Sequence, residues 1–290
     1  MQEAREQGVS PRRMRARDLG TPFRGARVAN SSAATHVQRS LAYRAVMPAD
    51  QCFSHVTAAV IWGCPLPTGI DDGPVHVSSR VGASRVRMRG VAGHELSGKH
   101  VRVAQRDGVL VTDPVTTWLQ LAGILDHRWL VAAGDHFVLD PIVQDLDDPR
   151  PYVGLDEFAR RVGEFTGWHC RSARAALARV RPRAESPRET FLRLELVDAG
   201  LPEPLTNHPI FDSLGRQIAI GDLVYPDQKV LVEYDGEQHR TDSRQYWRDI
   251  ERHDDLLAEQ WTHIRIGKDS APEAAVPRTR AALRAAGLRV

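Results

Sequence analysis

The chain is expected to fold as an α/β protein, with a mixed sheet flanked by helices in its C-terminal half and an α+β module before it. Three observations carry that expectation. Two aliphatic and β-branched runs, Ile220 with Leu223 and Val224 and then Val230 with Leu231 and Val232, stand on either side of Pro226-Asp227-Gln228-Lys229, whose turn chemistry makes a strand hairpin. A capping box with proline at the first helical position, Ser186-Pro187-Arg188-Glu189, opens a helix that runs to Gly200 before the hairpin. After it, a polar helix over 244–259, with Trp247, Ile250, Leu256 and Leu257 on its apolar side, leads to a closing strand over 261–266.

The 290 residues allow about two domains, and a hydrophobic content of 42% can bury a core in each. A net charge of +2 does not itself indicate a nucleic-acid partner, so the distribution of charge matters more than its sum. Cys52, Cys64 and Cys170 form no C-x-x-C pair, which argues against a disulfide framework or a cysteine zinc site and for a reducing cytoplasm. No run approaches the roughly 18 apolar residues of a membrane span, and the Arg-rich start lacks the apolar core of a signal peptide. A soluble cytoplasmic protein with no membrane partner is expected.

In chain order, residues 1–35 read as a basic flexible arm, carrying Arg5, Arg12, Arg13, Arg15, Arg17, Arg24 and Arg27 with little apolar periodicity. An α+β domain is expected over 36–150. It holds a short element at 38–46 and a helix at 54–62, capped by Ser54 and ended by Gly63 and Pro65. Short strands follow at 75–78, 86–89, 101–104 and 109–111, then a helix opened by Asp113-Pro114 and another at 127–134. His55 reads as structural, and His76, His94 and His100, whose spacing matches no ligand motif, read as scattered surface residues. Asp145 to Val153 has the proline and acid content of a linker.

A helical basic linker is expected over 151–184. Its helix at 172–180 would turn Arg171, Arg174 and Arg179 outward as a phosphate-contacting stripe and pack Ala175, Leu177 and Ala178 inward; a plain solvated helix face is the alternative. A last helix over 277–290 would dock on the C-terminal domain, which covers 185–290.

The chemistry is concentrated in the hairpin. Asp222 and Glu233 sit in strands where an unpaired carboxylate is costly, and a hard divalent cation such as Mg²⁺, with Mn²⁺ as a substitute, is the partner that carboxylate oxygens suit. Asp235 follows on the face of Glu233 by period-two alternation, and His239 can titrate near neutrality. Metal-binding acids beside an imidazole suit phosphodiester hydrolysis. Glu189 has two readings: it closes the cap on Ser186, or it faces the metal.

The runs SPRETFLRLELVDAGLPEP, GDLVYPDQKVLVEYDGEQH and RDIERHDDLLAEQWTHIRI together resemble the very-short-patch-repair-like endonuclease domains of the PD-(D/E)XK superfamily, over roughly residues 185–268. The resemblance implies that Asp222 takes the first acid's place, Glu233 the second's, and His239 that of the histidine proposed as general base. One departure is Asp235, where the superfamily usually has lysine; Gln238, His239 or an arginine would have to supply that charge. Asp249 and Arg252 resemble the acid and arginine of the family's second helix, with a structural ion pair as their expected role. Separately, SHVTAAVIWGCPLP and GVLVTDPVTTWLQLAG resemble the C-terminal part of the AbiEi abortive-infection antitoxins, a region without a catalytic motif.

The expected function is therefore metal-dependent DNA endonuclease activity in repair or defence, with DNA as partner and a protein partner or homodimer left open. Two alternatives stand beside it: a non-enzymatic DNA-binding or antitoxin-like regulator with an inactive nuclease domain, and a repair enzyme for phosphate esters other than DNA.

Overall fold

The computed structural model describes residues 6–29, 35–82, 85–98, 100–235, 243–267 and 274–290, with backbone alone for 243–249. The fold is mixed α/β, and its residues group into two units, one made of 1–133 and 153–177, the other of 134–152 and 178–290.

In unit 1, α1 (His36–Arg44) begins at a capping box in which Thr35 and Gln38 bond each other's backbone, so the ambiguous element at 38–46 is a helix. The strands are β1 (Gln51–Phe53), β2 (Val75–Arg80), β3 (Val91–Leu96), β4 (Val103–Arg106) and β5 (Val109–Thr112), in the spatial order β3-β2-β1-β5-β4. β2 runs antiparallel to β1, and β3 parallel to β2. Two helices pack beside them, α2 (His55–Ile61) and α3 (Pro114–Leu121), the latter capped by the Asp113 side chain accepting from the Thr116 N–H at 3.0 Å. α4 (His127–Val138), whose residues up to Ala133 belong to unit 1 and whose remainder belongs to unit 2, runs four residues beyond its expected end.

Three expectations need correction here. Residues 86–89 are not a strand; the strand is β3, which polar residues and Gly93 conceal. A Cβ at Gly93 would lie 2.7 Å from the Val86 carbonyl oxygen, so the missing side chain is what lets the 86–89 backbone lie against β3. Residues 6–29 are packed, not a free arm: Met14, Phe23 and Ala26 are buried, and Phe23 meets Tyr43 edge-on at 5.2 Å. Their irregular spacing left no periodic signal. Residues 153–177 pack within unit 1, through α5 (Leu155–Glu164) and α6 (Cys170–Leu177). Phe158 of α5 lies edge-on to Trp118 at 4.9 Å, and buried Arg161 forms an ion pair with Asp113. On α6 the buried residues are Ala173 and Ala176, whereas Ala175 and Ala178 are exposed.

Unit 2 is a sheet between helices. Its elements are α7 (Pro187–Asp198), β6 (Leu205–Phe211), β7 (Gln217–Tyr225), β8 (Val230–Asp235), α8 (Ser243–Ala258), β9 (Thr262–Gly267) and α9 (Ala275–Ala285). The strand order is β9-β8-β7-β6. The expected hairpin is β7–β8, antiparallel with Val230 opposite Tyr225, and Lys229 closes its turn at φ 50°. α8 joins β8 to β9 as a parallel crossover. One face of the sheet buries Leu223, Val232 and Ile264 with Leu192 of α7 and Leu283 of α9, and the other buries Val224, Leu231 and Trp261 with Leu256 of α8. Leu257, expected on the apolar side of α8, is 56% exposed. β6 lies at the sheet edge among the described residues, and its Pro209, which has no N–H to donate, belongs there.

Candidate functional site

The acids of unit 2 gather where β7 and β8 part. Their backbone pairing ends at Val232 and Leu223. Below that point the alternation of β7 is broken: Ala219 and Val224, of opposite parity, both pack on the α8 face. Gly221 sits at the break, where a Cβ would collide with Leu231 and come within 2.8 Å of Val224. The parted strands free the Tyr234 N–H from a ladder partner, and it donates to the Asp222 carboxylate at 2.9 Å.

Asp222 is largely buried. Burial first, then the nearby charges of Glu189 and Glu233, push its carboxyl up to about 7, against the pull of the Tyr234 N–H and Arg252. The Ser186 hydroxyl accepts the Glu189 backbone N–H at 3.3 Å, the first half of the expected cap, and the Glu189 carboxylate lies close enough to Asp222 to repel it. That carboxylate accepts from the Glu185 N–H at 3.0 Å and the Asn207 amide at 2.7 Å, while burial raises its own pKa above the usual range.

Glu233 is arranged in the opposite way. Burial would raise it, but hydrogen bonds from His263 at 2.6 Å and from Arg252 outweigh burial and hold it below the ordinary value. Arg252 also donates to the Ile220 carbonyl at 3.1 Å. The arginine expected to pair with Asp249 is therefore bound to the second acid, and a cation stands beside Glu233 although Asp235 replaces the lysine. Asp235 itself is exposed at the end of β8. His239 lies outside the described residues, and so does the side chain of Asp249.

The arginines of the expected stripe have different surroundings. Arg171 is exposed, and Arg174 caps the end of α5 by donating to the carbonyls of Gly163 and Phe165 at 3.0 and 2.9 Å. Arg179 pairs with Asp198 at 2.9 Å.

Unit 1 holds a cluster that sequence reasoning missed. His55 at the start of α2, His76 on β2 and His94 on β3 bring one ring nitrogen each within 4.8 Å of the others. His76 Nδ1 and His94 Nε2 are 3.0 Å apart, and the His55 and His94 rings stack at 3.8 Å. Burial, with the neighbouring rings, lowers His55 to about 3 and His76 to about 4; burial and Arg85 lower His94. All three are shifted towards the neutral ring. The expectation of scattered surface histidines is thus corrected for His76 and His94, and His55 joins them. A parallel strand pairing sets His94 opposite Ser78, two residues beyond His76, a relation that sequence spacing does not reveal.

No family model matches the chain, and no solved structure matches it. The chain is similar to two proteins of Mycobacterium tuberculosis that are both described as uncharacterized, Rv2248 of strain ATCC 25618 / H37Rv and MT2308 of strain CDC 1551 / Oshkosh. Each is 29% identical to it over 188 residues, 63% of this chain and 65% of the relative. The match thus spans just under two thirds of either relative's length. Among the described residues no helix is long and apolar enough to cross a membrane.

Proposed function

We propose that unit 2 is a metal-dependent DNA endonuclease, a cytoplasmic enzyme that hydrolyses phosphodiester bonds. One observation carries the reading: two strands and a helix bring Asp222, Glu233 and Glu189 near one another, so that burial first, and then the charges of Glu189 and Glu233, raise the Asp222 carboxyl to about 7. Buried acids that repel one another are a set that a dication completes, and an all-oxygen set suits Mg²⁺ or Mn²⁺. Asp222 and Glu233 would hold the ion, with Glu189 beside Asp222. A bound ion there would supply an acidified water and charge neutralisation at the phosphoryl group.

The chain's own groups do the rest. The Tyr234 N–H fixes the Asp222 carboxylate, His263 and Arg252 fix Glu233, and His239 takes the proton from the attacking water. Arg252 supplies the positive charge that Asp235 does not. DNA is the substrate proposed, with Arg179 as a backbone contact of unit 2; Arg171 and Arg174 belong to unit 1 and are proposed as phosphate contacts of that unit by itself.

One observation favours a second reading. Both Glu233 oxygens are engaged by Arg252 and His263, which suits a DNA-binding regulator that has no hydrolytic role. Incubating the purified chain with supercoiled plasmid in Mg²⁺ or Mn²⁺ separates the two. Cleavage that is lost in Asp222→Asn supports the nuclease, and His239→Ala should slow it by about two to four orders of magnitude. DNA binding without cleavage in either metal would favour the regulator, and full activity in Asp222→Asn would rule out the site.

A further inference from the structure

We propose that His55, His76 and His94 form a binding site for a zinc-class divalent ion in unit 1, separate from the acid cluster and with a coordination position open to a cleft. The donor set decides the class of ion. Three imidazoles with no carboxylate or thiolate among them suit zinc and its neighbours and suit Mg²⁺ poorly.

The spacing is close to what an ion needs. With zinc–nitrogen bonds of roughly 2.0–2.1 Å, ligand atoms on a tetrahedron stand about 3.3 Å apart, and His76 Nδ1 and His94 Nε2 already stand 3.0 Å apart. The third nitrogen lies within 4.8 Å, a gap that a side-chain rotation can close.

The rings are also held from behind, as metal-binding histidines are. Ser54 is the residue before α2, yet its hydroxyl makes no bond to the helix backbone; it contacts His55 Nδ1 at 3.0 Å, leaving Nε2 for a metal. His55 has φ 53°, a left-handed conformation uncommon for a residue with a side chain, and its N–H is pinned to Gln120 at 2.9 Å. The backbone of His76 is tied to the Thr57 hydroxyl at 2.8 Å, which in turn contacts His36 Nε2 at 2.7 Å.

Three-histidine sites with an open fourth position are the arrangement of catalytic zinc, whereas structural zinc is closed by four protein ligands. The cleft supplies the opening. It has a volume of about 390 Å³, and His55 and His94 line it together with Arg85, His100, Trp168 and His169. That is room for a water and a small ligand beside the ion.

The test is a zinc titration of the full-length chain carrying Asp222→Asn and Glu233→Gln, so that the acid cluster takes no part and the outcome is independent of nuclease activity. One zinc ion per chain is expected, and cobalt in its place should show the visible bands of a tetrahedral nitrogen site. His94→Ala should weaken zinc binding by more than about 100-fold, beyond the 10–100-fold that loss of an orienting partner costs; Ser54→Ala should fall within that smaller range. His100→Ala, which lines the cleft outside the cluster, should leave the affinity unchanged. Circular dichroism checks that each variant folds, and His94→Gln and His76→Gln serve if His94→Ala does not. A chain that binds no zinc, or folded histidine variants that bind it as tightly as the parent, would overturn the site.

Discussion

Replacing Asp222 by asparagine should stabilise unit 2, by an amount set by pH. The carboxyl titrates at about 7 in the fold against an ordinary 3.8. The folded state therefore keeps a proton over an interval in which the unfolded chain has lost it. Below about pH 4 both states are protonated and the burial penalty is absent. It grows as pH rises through the interval and is complete above 7. At about 1.4 kcal/mol per pH unit, that span amounts to roughly 4 kcal/mol, an upper bound because the site relaxes. Asparagine keeps an oxygen to accept the Tyr234 N–H and carries no charge, so the variant should gain nothing at pH 4 and up to about that amount at pH 8. Hydrogen exchange of the β7 and β8 peptides, read by mass spectrometry, follows this unit by itself. A variant no more protected than wild type at pH 8, or equally favoured at pH 4 and 8, would refute the electrostatic account. Adding Mn²⁺ at pH 8 should protect the wild-type strands and leave the variant unchanged, and protection in both would place the ion elsewhere.

Other perturbations test other parts of the fold. Arg193 is fully buried between Asp135 at 3.2 Å and Glu203 at 2.7 Å, so Arg193→Met should cost about 3–5 kcal/mol by stranding a buried acid, measured by urea denaturation; a change near zero would show that Asp135 simply takes up a proton. Gly221→Ala should cost about 1–3 kcal/mol through overpacking against Leu231, and an unchanged midpoint would mean that the parted strands have slack. If Arg171, Arg174 and Arg179 neutralise phosphates, replacing all three by alanine should flatten the salt dependence of DNA affinity by about 0.9 for each phosphate left without its arginine. An identical slope would remove them from the interface.

How much of this was legible depended on whether the signal was local. The β7–β8 hairpin was readable because its turn and both apolar runs are contiguous, and α7 because Ser186, Pro187 and Glu189 announce a helix start. Asp222 and Glu233 stood out as charges inside those same runs. β1 has three residues, too few for alternation, yet it lies in the middle of its sheet. β6 was missed because Pro209, Asn207 and His208 argue against a strand, and only the edge position makes them tolerable. On α6 the apolar face was assigned about one position out of phase, because a helix made mostly of alanine and arginine has little contrast between its faces.

The partners of the two candidate sites were hidden for a different reason. Arg252 reaches Glu233 across 19 positions and His263 reaches it across 30, through a parallel crossover that no pairwise spacing encodes. The three histidines of unit 1 come from a helix start and two strands, and their register is set by apolar neighbours such as Val75 and Val77. In both places the sequence displayed the chemistry of the single residue and concealed the pairing. The consequence differs between the sites. At the acids, burial and then the charges of Glu189 and Glu233 raise Asp222, whereas hydrogen bonds from His263 and Arg252 hold Glu233 down, so two carboxylates of like chemistry are driven apart in pKa. At the histidines, burial drives all three the same way, towards the neutral ring that donates a lone pair.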